Sequence, residues 1–68
     1  WKKKSYIPQT GDIIFFDWNG DGHVQHVGIV EKVENDKVYT IEGNSKDEVR
    51  NKNYSLTNKS IYGYGSVN

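Results

Sequence analysis

His26, Glu42 and Asn44 are the residues of this chain whose types and spacing could do chemistry. The segments 24–30 and 37–42 both read as β-strands. Period 2 puts His26, Gly28 and Val30 on one side of the first strand, and Val38, Thr40 and Glu42 on one side of the second. Paired as a hairpin, they bring an imidazole and a carboxylate onto one face of a sheet, with the Asn44 amide just past the strand end. A carboxylate or amide that holds one ring nitrogen leaves the other to take a proton, so the trio makes His26 a general base. Such a base serves a nucleophile. The most obvious one, a cysteine, is absent from all 68 residues.

The other reactive side chains offer less. Ser5, Ser45, Ser55, Ser60 and Ser66 are present, but none lies in a nucleophile motif such as G-x-S-x-G. His23 precedes His26 by three positions in a glycine-rich loop and reads as solvated, and the pair lacks the further ligands a zinc site requires. Asp17, Asn19, Asp21 and Gly22 copy the first half of a calcium loop, yet the twelfth position is Gly28 rather than glutamate. The same stretch is better read as a tight turn built on Asn-Gly and Asp-Gly. No metal and no cofactor is therefore expected. Trp18 stands in that polar turn, next to the strand of His26. An exposed tryptophan there would stack on a sugar ring or a peptide plane, so Trp18 is a candidate substrate-binding residue.

The elements that must position these groups are all extended. Pro8 biases Ile7 towards β or polyproline geometry, and Gln9-Thr10-Gly11-Asp12 reads as a turn. Ile13-Ile14-Phe15-Phe16 is a short apolar strand, either buried on both faces or central in a small barrel. The strand 24–34 ends in the hairpin signal Asn35-Asp36 and returns as 37–42. A polar loop, 44–48, follows, then a weak edge strand at 49–56 and a turn at 57–60. The last strand, 61–67, has alternate glycines that suggest tight curvature or close approach. Phe15, Phe16, Tyr39, Tyr62 and Tyr64 are expected to supply most of the aromatic core. No segment has a helical period. The expectation is a mainly β domain of five or six strands, a small antiparallel sheet curled as an SH3-like half-barrel.

Composition narrows the partners. Nine basic and nine acidic side chains balance, so no global field recruits nucleic acid, and Lys2-Lys3-Lys4 reads as a solvated end. No apolar run approaches the ~18 residues that span a membrane. At this length about 60% of the unfolded surface is buried, and no disulfide helps. Residues 1–68 are thus expected to be a single, partial domain, an internal fragment or processed product, since the chain starts with Trp1 and carries no signal peptide.

The order Pro8, Gly11-Asp12-Ile13-Ile14-Phe15-Phe16, His26-Val27-Gly28-Ile29-Val30, Ile41-Glu42-Gly43-Asn44, Ile61-Tyr62-Gly63-Tyr64 closely resembles the C-terminal half of a CHAP domain. CHAP domains are cysteine, histidine-dependent amidohydrolases/peptidases of the NlpC/P60-like, papain-like group, and most cleave bacterial cell-wall peptides. The resemblance implies that His26 is the catalytic histidine, Glu42 the acid that orients it and Asn44 a further polar residue of the site. It also implies a peptidoglycan peptide as substrate and a secreted or cell-wall location. In the family the nucleophile is a cysteine at a helix N-terminus, where the helix dipole and the imidazole lower the thiol pKa. Only 25 residues precede His26, none is a cysteine, and the helical half of the family's fold is missing. Two readings follow. One is the β-subdomain of a cell-wall amidase or endopeptidase, inactive by itself. The other is a non-catalytic domain that binds cell-wall peptide, or pairs with a second copy through an exposed strand edge or apolar face.

Overall fold

The computed structural model describes residues 2–3, 5–43 and 49–66. Six strands make up the described residues' regular structure: β1 (Lys2–Lys3), β2 (Ile13–Phe16), β3 (His26–Glu34), β4 (Lys37–Gly43), β5 (Val49–Ser55) and β6 (Ile61–Gly65). They form one antiparallel sheet in the order β1-β6-β2-β3-β4-β5, and no helix occurs among the described residues. The sheet is open, with β1 and β5 at its edges. The weak, polar strand at 49–56 is thus an edge strand, as its composition suggests.

Turn chemistry sets the connections. Asn35 and Asp36 both have positive φ, 53° and 62°, the backbone of a two-residue hairpin turn whose twist suits the flanking strands. Before β2, the Asp12 N–H donates to the Gln9 carbonyl and the Gln9 N–H to the Asp12 carboxylate, closing the turn 9–12. The Tyr6 hydroxyl donates to the same carboxylate at 2.9 Å, which anchors the N-terminal segment to the turn.

The core lies on one face of the sheet: Ile14 and Phe16 from β2, Val30 from β3, Val38 from β4, and Ile61 and Tyr64 from β6. Phe16 and Tyr54 show how far the sheet curls. Their strands, β2 and β5, are three positions apart in the order, about 14 Å if the sheet were flat. Their ring centroids are 4.8 Å apart. β2 is central, with Ile14 and Phe16 fully buried, but Ile13 and Phe15 on its other side are only half-buried. The expectation of burial on both faces is corrected accordingly.

The aromatic core also differs from expectation. Phe16 and Tyr64 belong to it, and Tyr6 and Tyr54 pack against it, whereas Tyr62 is exposed and Phe15 and Tyr39 are half-buried. Phe15 instead covers Gly65, where an added Cβ would sit 3.3 Å from its ring. This is the close approach that the alternate glycines suggested.

Candidate functional site

The site begins with the register of β3 and β4. Ile29 lies opposite Ile41, so the next inward residues along the hairpin are Gly28 and Glu42, with His26 one diagonal step further. A register shift between Val30 and Lys32 marks a bulge, which moves the inward side of β3 from Val30 to Val33. The bulge lies beyond the site, so His26, Gly28 and Val30 keep the common face that period 2 predicts. Gly28 has to be small, because a Cβ there would stand 2.8 Å from the Glu42 Cγ and 3.4 Å from Ile14. The space above Gly28 is taken by the Glu42 side chain.

His26 Nε2 lies 2.6 Å from Glu42 Oε1. Glu42 is 4% exposed and the His26 side chain 28%. Two hydroxyls donate to the carboxylate's other oxygen: Thr40 to Oε2 at 2.6 Å and Tyr54 at 2.7 Å. Burial alone would push the Glu42 carboxyl up. The hydrogen bonds from Thr40, Tyr54 and His26, with the imidazole's charge, outweigh it and hold the group below its ordinary value. The Tyr54 hydroxyl is pushed far up by burial and by the anion it donates to. A carboxylate can only accept, so Nε2 of His26 is the donor, and in the neutral ring Nδ1 is left to take a proton. The arrangement can hold an imidazole in one tautomer, with its other nitrogen open to a proton.

Trp18 is 46% exposed and stacks on Phe16 at 4.7 Å between centroids. Its ring also lies 5.9 Å from the His26 ring, at 29° between planes. It is thus partly exposed and beside the histidine ring, but it is not among the residues that line the cleft next to the pair. Asp17 buries both carboxylate oxygens in that turn, accepting the N–H groups of Gly20, Asp21 and Gly22, and Asp21 accepts from the His23 N–H. The His23 side chain is exposed, with its Nδ1 3.5 Å from the Asp21 carboxylate. Asn44, the third residue expected at the site, lies outside the described residues.

An open cleft of about 160 Å³ runs beside the pair, lined by His26, Glu42, Gly43, Arg50 and Lys52. Sequence reasoning placed Thr40 on the face of Glu42 without giving it a role, and it missed Tyr54, Arg50 and Lys52. The signal was present: period 2 along β5 puts Arg50, Lys52 and Tyr54 on one side. Low apolar content hid it.

Among known families, the model of the CHAP domain matches residues 1–44, which take in β1 to β4 with His26 and Glu42 but not β5. No curated protein and no solved structure matches the chain.

Proposed function

Because this chain belongs to the CHAP-domain family, a peptidoglycan-hydrolase family, we propose that it is the β half of a cell-wall cysteine amidase or endopeptidase. In this reading it supplies the base, His26, and its orienting acid, Glu42. The observation that carries the proposal is the 2.6 Å contact between His26 Nε2 and a buried carboxylate that takes two further hydroxyl donors. A surface ion pair has no use for such a shell. A histidine that must hold one tautomer and then stabilise its own protonated form does.

In that reaction a cysteine thiol from outside these 68 residues gives its proton to Nδ1 of His26. The thiolate attacks the peptide carbonyl carbon, and backbone N–H groups hold the resulting oxyanion. As the C–N bond breaks, the imidazolium returns the proton to the leaving amine. Water then releases the acyl group from sulfur, with His26 again taking the proton. Throughout, Glu42 keeps the ring in place and balances its charge, with Thr40 and Tyr54 holding Glu42. Asn44 is assigned to the same site, and Trp18 to stacking against the substrate at the rim. The site of action is the cell wall.

The test is to read the coding sequence upstream of Trp1 and assay the protein that contains this chain on purified peptidoglycan. A cysteine some tens of residues before His26, followed by a helical pattern, with hydrolysis lost on His26→Ala, bears the proposal out. A region with no such cysteine, and no hydrolysis, overturns it.

A second reading has its own observation. The outer face of the sheet carries Val27, Ile29 and Ile41, 50%, 52% and 37% exposed. Ile29 and Ile41 are cross-strand partners, so the patch is continuous. A domain that covers this face with a second copy, and holds peptide without cutting it, would account for the missing nucleophile.

A further inference from the structure

We propose that Asn19-Gly20 and Asp21-Gly22 are two latent succinimide sites in the loop that carries Trp18 to His26, and that Asp17 keeps both closed by holding the N–H group each would react through. Asn-Gly and Asp-Gly are the steps at which a chain most readily attacks its own side chain, because glycine leaves the following nitrogen unshielded. In the reaction the Gly20 nitrogen gives up its proton and bonds to the Asn19 Cγ, and the side-chain nitrogen leaves as ammonia. Water then opens the ring at either carbonyl, leaving aspartate or isoaspartate. At Asp21 the Gly22 nitrogen attacks in the same way and water leaves. Water returning at the other carbonyl leaves isoaspartate. The turn cannot escape these steps by changing the glycines, since Gly20 and Gly22 have φ of 71° and 84°, where a side chain carries a steric cost.

The reacting groups are held instead. The Gly20 N–H donates to Asp17 Oδ1 at 2.9 Å and the Gly22 N–H to Oδ2 at 2.7 Å. Asp17 is buried, so water competes little for these bonds. Burial would raise its carboxyl, but the N–H groups of Gly22, Asp21 and Gly20 lower it further, so it is an anion at neutral pH. An N–H that donates to an anion resists losing its proton, which ring closure requires. The Asp21 carboxylate is itself engaged, accepting the His23 N–H at 3.0 Å. The loop matters to the site because Trp18 lies between Asp17 and Asn19, with its ring 5.9 Å from that of His26. Deamidation of Asn19 adds a negative charge there. Isoaspartate adds a methylene to a loop whose ends are pinned, the Asp17 N–H to the Ser60 carbonyl and the Gln25 N–H to the Phe16 carbonyl. A longer path between fixed ends would displace Trp18 from Phe16.

The experiment incubates the 68-residue chain in mildly alkaline buffer and follows Asn19 and Asp21 by mass spectrometry, with a peptide of residues 15–24 as the unfolded reference. Deamidation at Asn19 reads as a mass gain, and isoaspartate at Asp21 reads in electron-transfer fragmentation. Both reactions are expected to run about tenfold slower or more in the chain than in the peptide, the factor by which a hydrogen bond to a charged group depletes the free N–H. Asp17→Ala should return most of that factor, with Asp17→Asn in between, since its amide keeps one acceptor oxygen. Val38→Ala is the control, because it loosens the core at a fully buried position and leaves Asp17 in place. All are compared below their melting transitions, and Asp17→Asn stands in if Asp17→Ala has none. Equal rates in chain and peptide overturn the proposal, as do Asp17 variants that react no faster than wild type. An equal acceleration in Val38→Ala also overturns it, by assigning the protection to folding in general.

Discussion

Gly28 and Glu42 occupy the same space from opposite strands: a Cβ on Gly28 would lie 2.8 Å from the Cγ of Glu42. The atom in the way is near the root of the side chain, so it cannot simply swing aside. Gly28→Ala is expected to displace the carboxylate, lengthen its contact with His26 and cost about 1–3 kcal/mol, as overpacked cores do. Thermal melting reads the stability. The His26 ring resonances read the contact. An alanine variant with unchanged melting and unchanged His26 shifts would show that Glu42 does not depend on the glycine.

Tyr54 is a positioning residue for Glu42, acting through a 2.7 Å hydrogen bond from the neighbouring strand. Tyr54→Phe keeps the ring packed on Phe16 and Trp18 and removes only the hydroxyl. Loss of a bond to a charged group is expected to cost about 1.5–3 kcal/mol. The Glu42 carboxyl should also titrate higher, read by its 13C shift. Tyr6→Phe is the control, since that hydroxyl serves Asp12 instead. A Glu42 titration that does not move in Tyr54→Phe would reduce Tyr54 to packing.

Alternation carried most of this site in the sequence. His26, Gly28, Thr40 and Glu42 face one way because period 2 is strict over short strands, and Asn35-Asp36 announced the hairpin that joins them. What alternation could not show is the bulge at Val30–Lys32, which shifts the inward side by one residue. Nor could it show the curl of the sheet, which brings Tyr54 across three strand spacings to Phe16. That contact depends on the summed twist of the strands, not on any local pattern. Phe15 was assigned to the core for its residue type, while the register of β2 faces it towards Gly63 and Gly65.

Acid should weaken the fold through Glu42. Its carboxyl is held below the ordinary value in the folded chain, so the stability it contributes is complete above the unfolded pKa of about 4.3. That contribution is lost as pH falls through the lower, folded value. Asp17 has the same sign: burial would raise it, but the N–H groups of Gly22, Asp21 and Gly20 lower it further. Melting temperature is therefore expected to fall between pH 5 and pH 3. Glu42→Gln should start lower and fall less steeply, with Asp17→Asn removing part of the remaining slope. Parallel acid losses in wild type and Glu42→Gln would place the effect elsewhere.

The exposed face of Val27, Ile29 and Ile41 makes a prediction about the chain in solution. Isolated, it is expected to self-associate as concentration rises, and Ile29→Lys should return it to a monomer, because a charge at the centre of the patch opposes burial. Light scattering across a wide concentration range measures this. A wild-type chain that stays monomeric throughout would remove the self-pairing reading.

His26→Ala separates a cleft histidine from a structural one. The ring is partly exposed and packs beside Phe16 and Trp18 at the rim, while Glu42 retains Thr40 and Tyr54 when the imidazole goes. Among the described residues the buried anion therefore keeps two of its three donors, and the core residues beneath are untouched. The variant is expected to stay folded, losing about 1.5–3 kcal/mol, the worth of one hydrogen bond to a charged group. In a domain this small that is roughly 6–24 °C of melting temperature. A variant with no cooperative transition would mean that His26 is needed to neutralise Glu42 in the fold. The pair would then be a structural device that a catalytic role merely borrows. A folded variant that loses only the function of the whole protein would assign His26 to the chemistry.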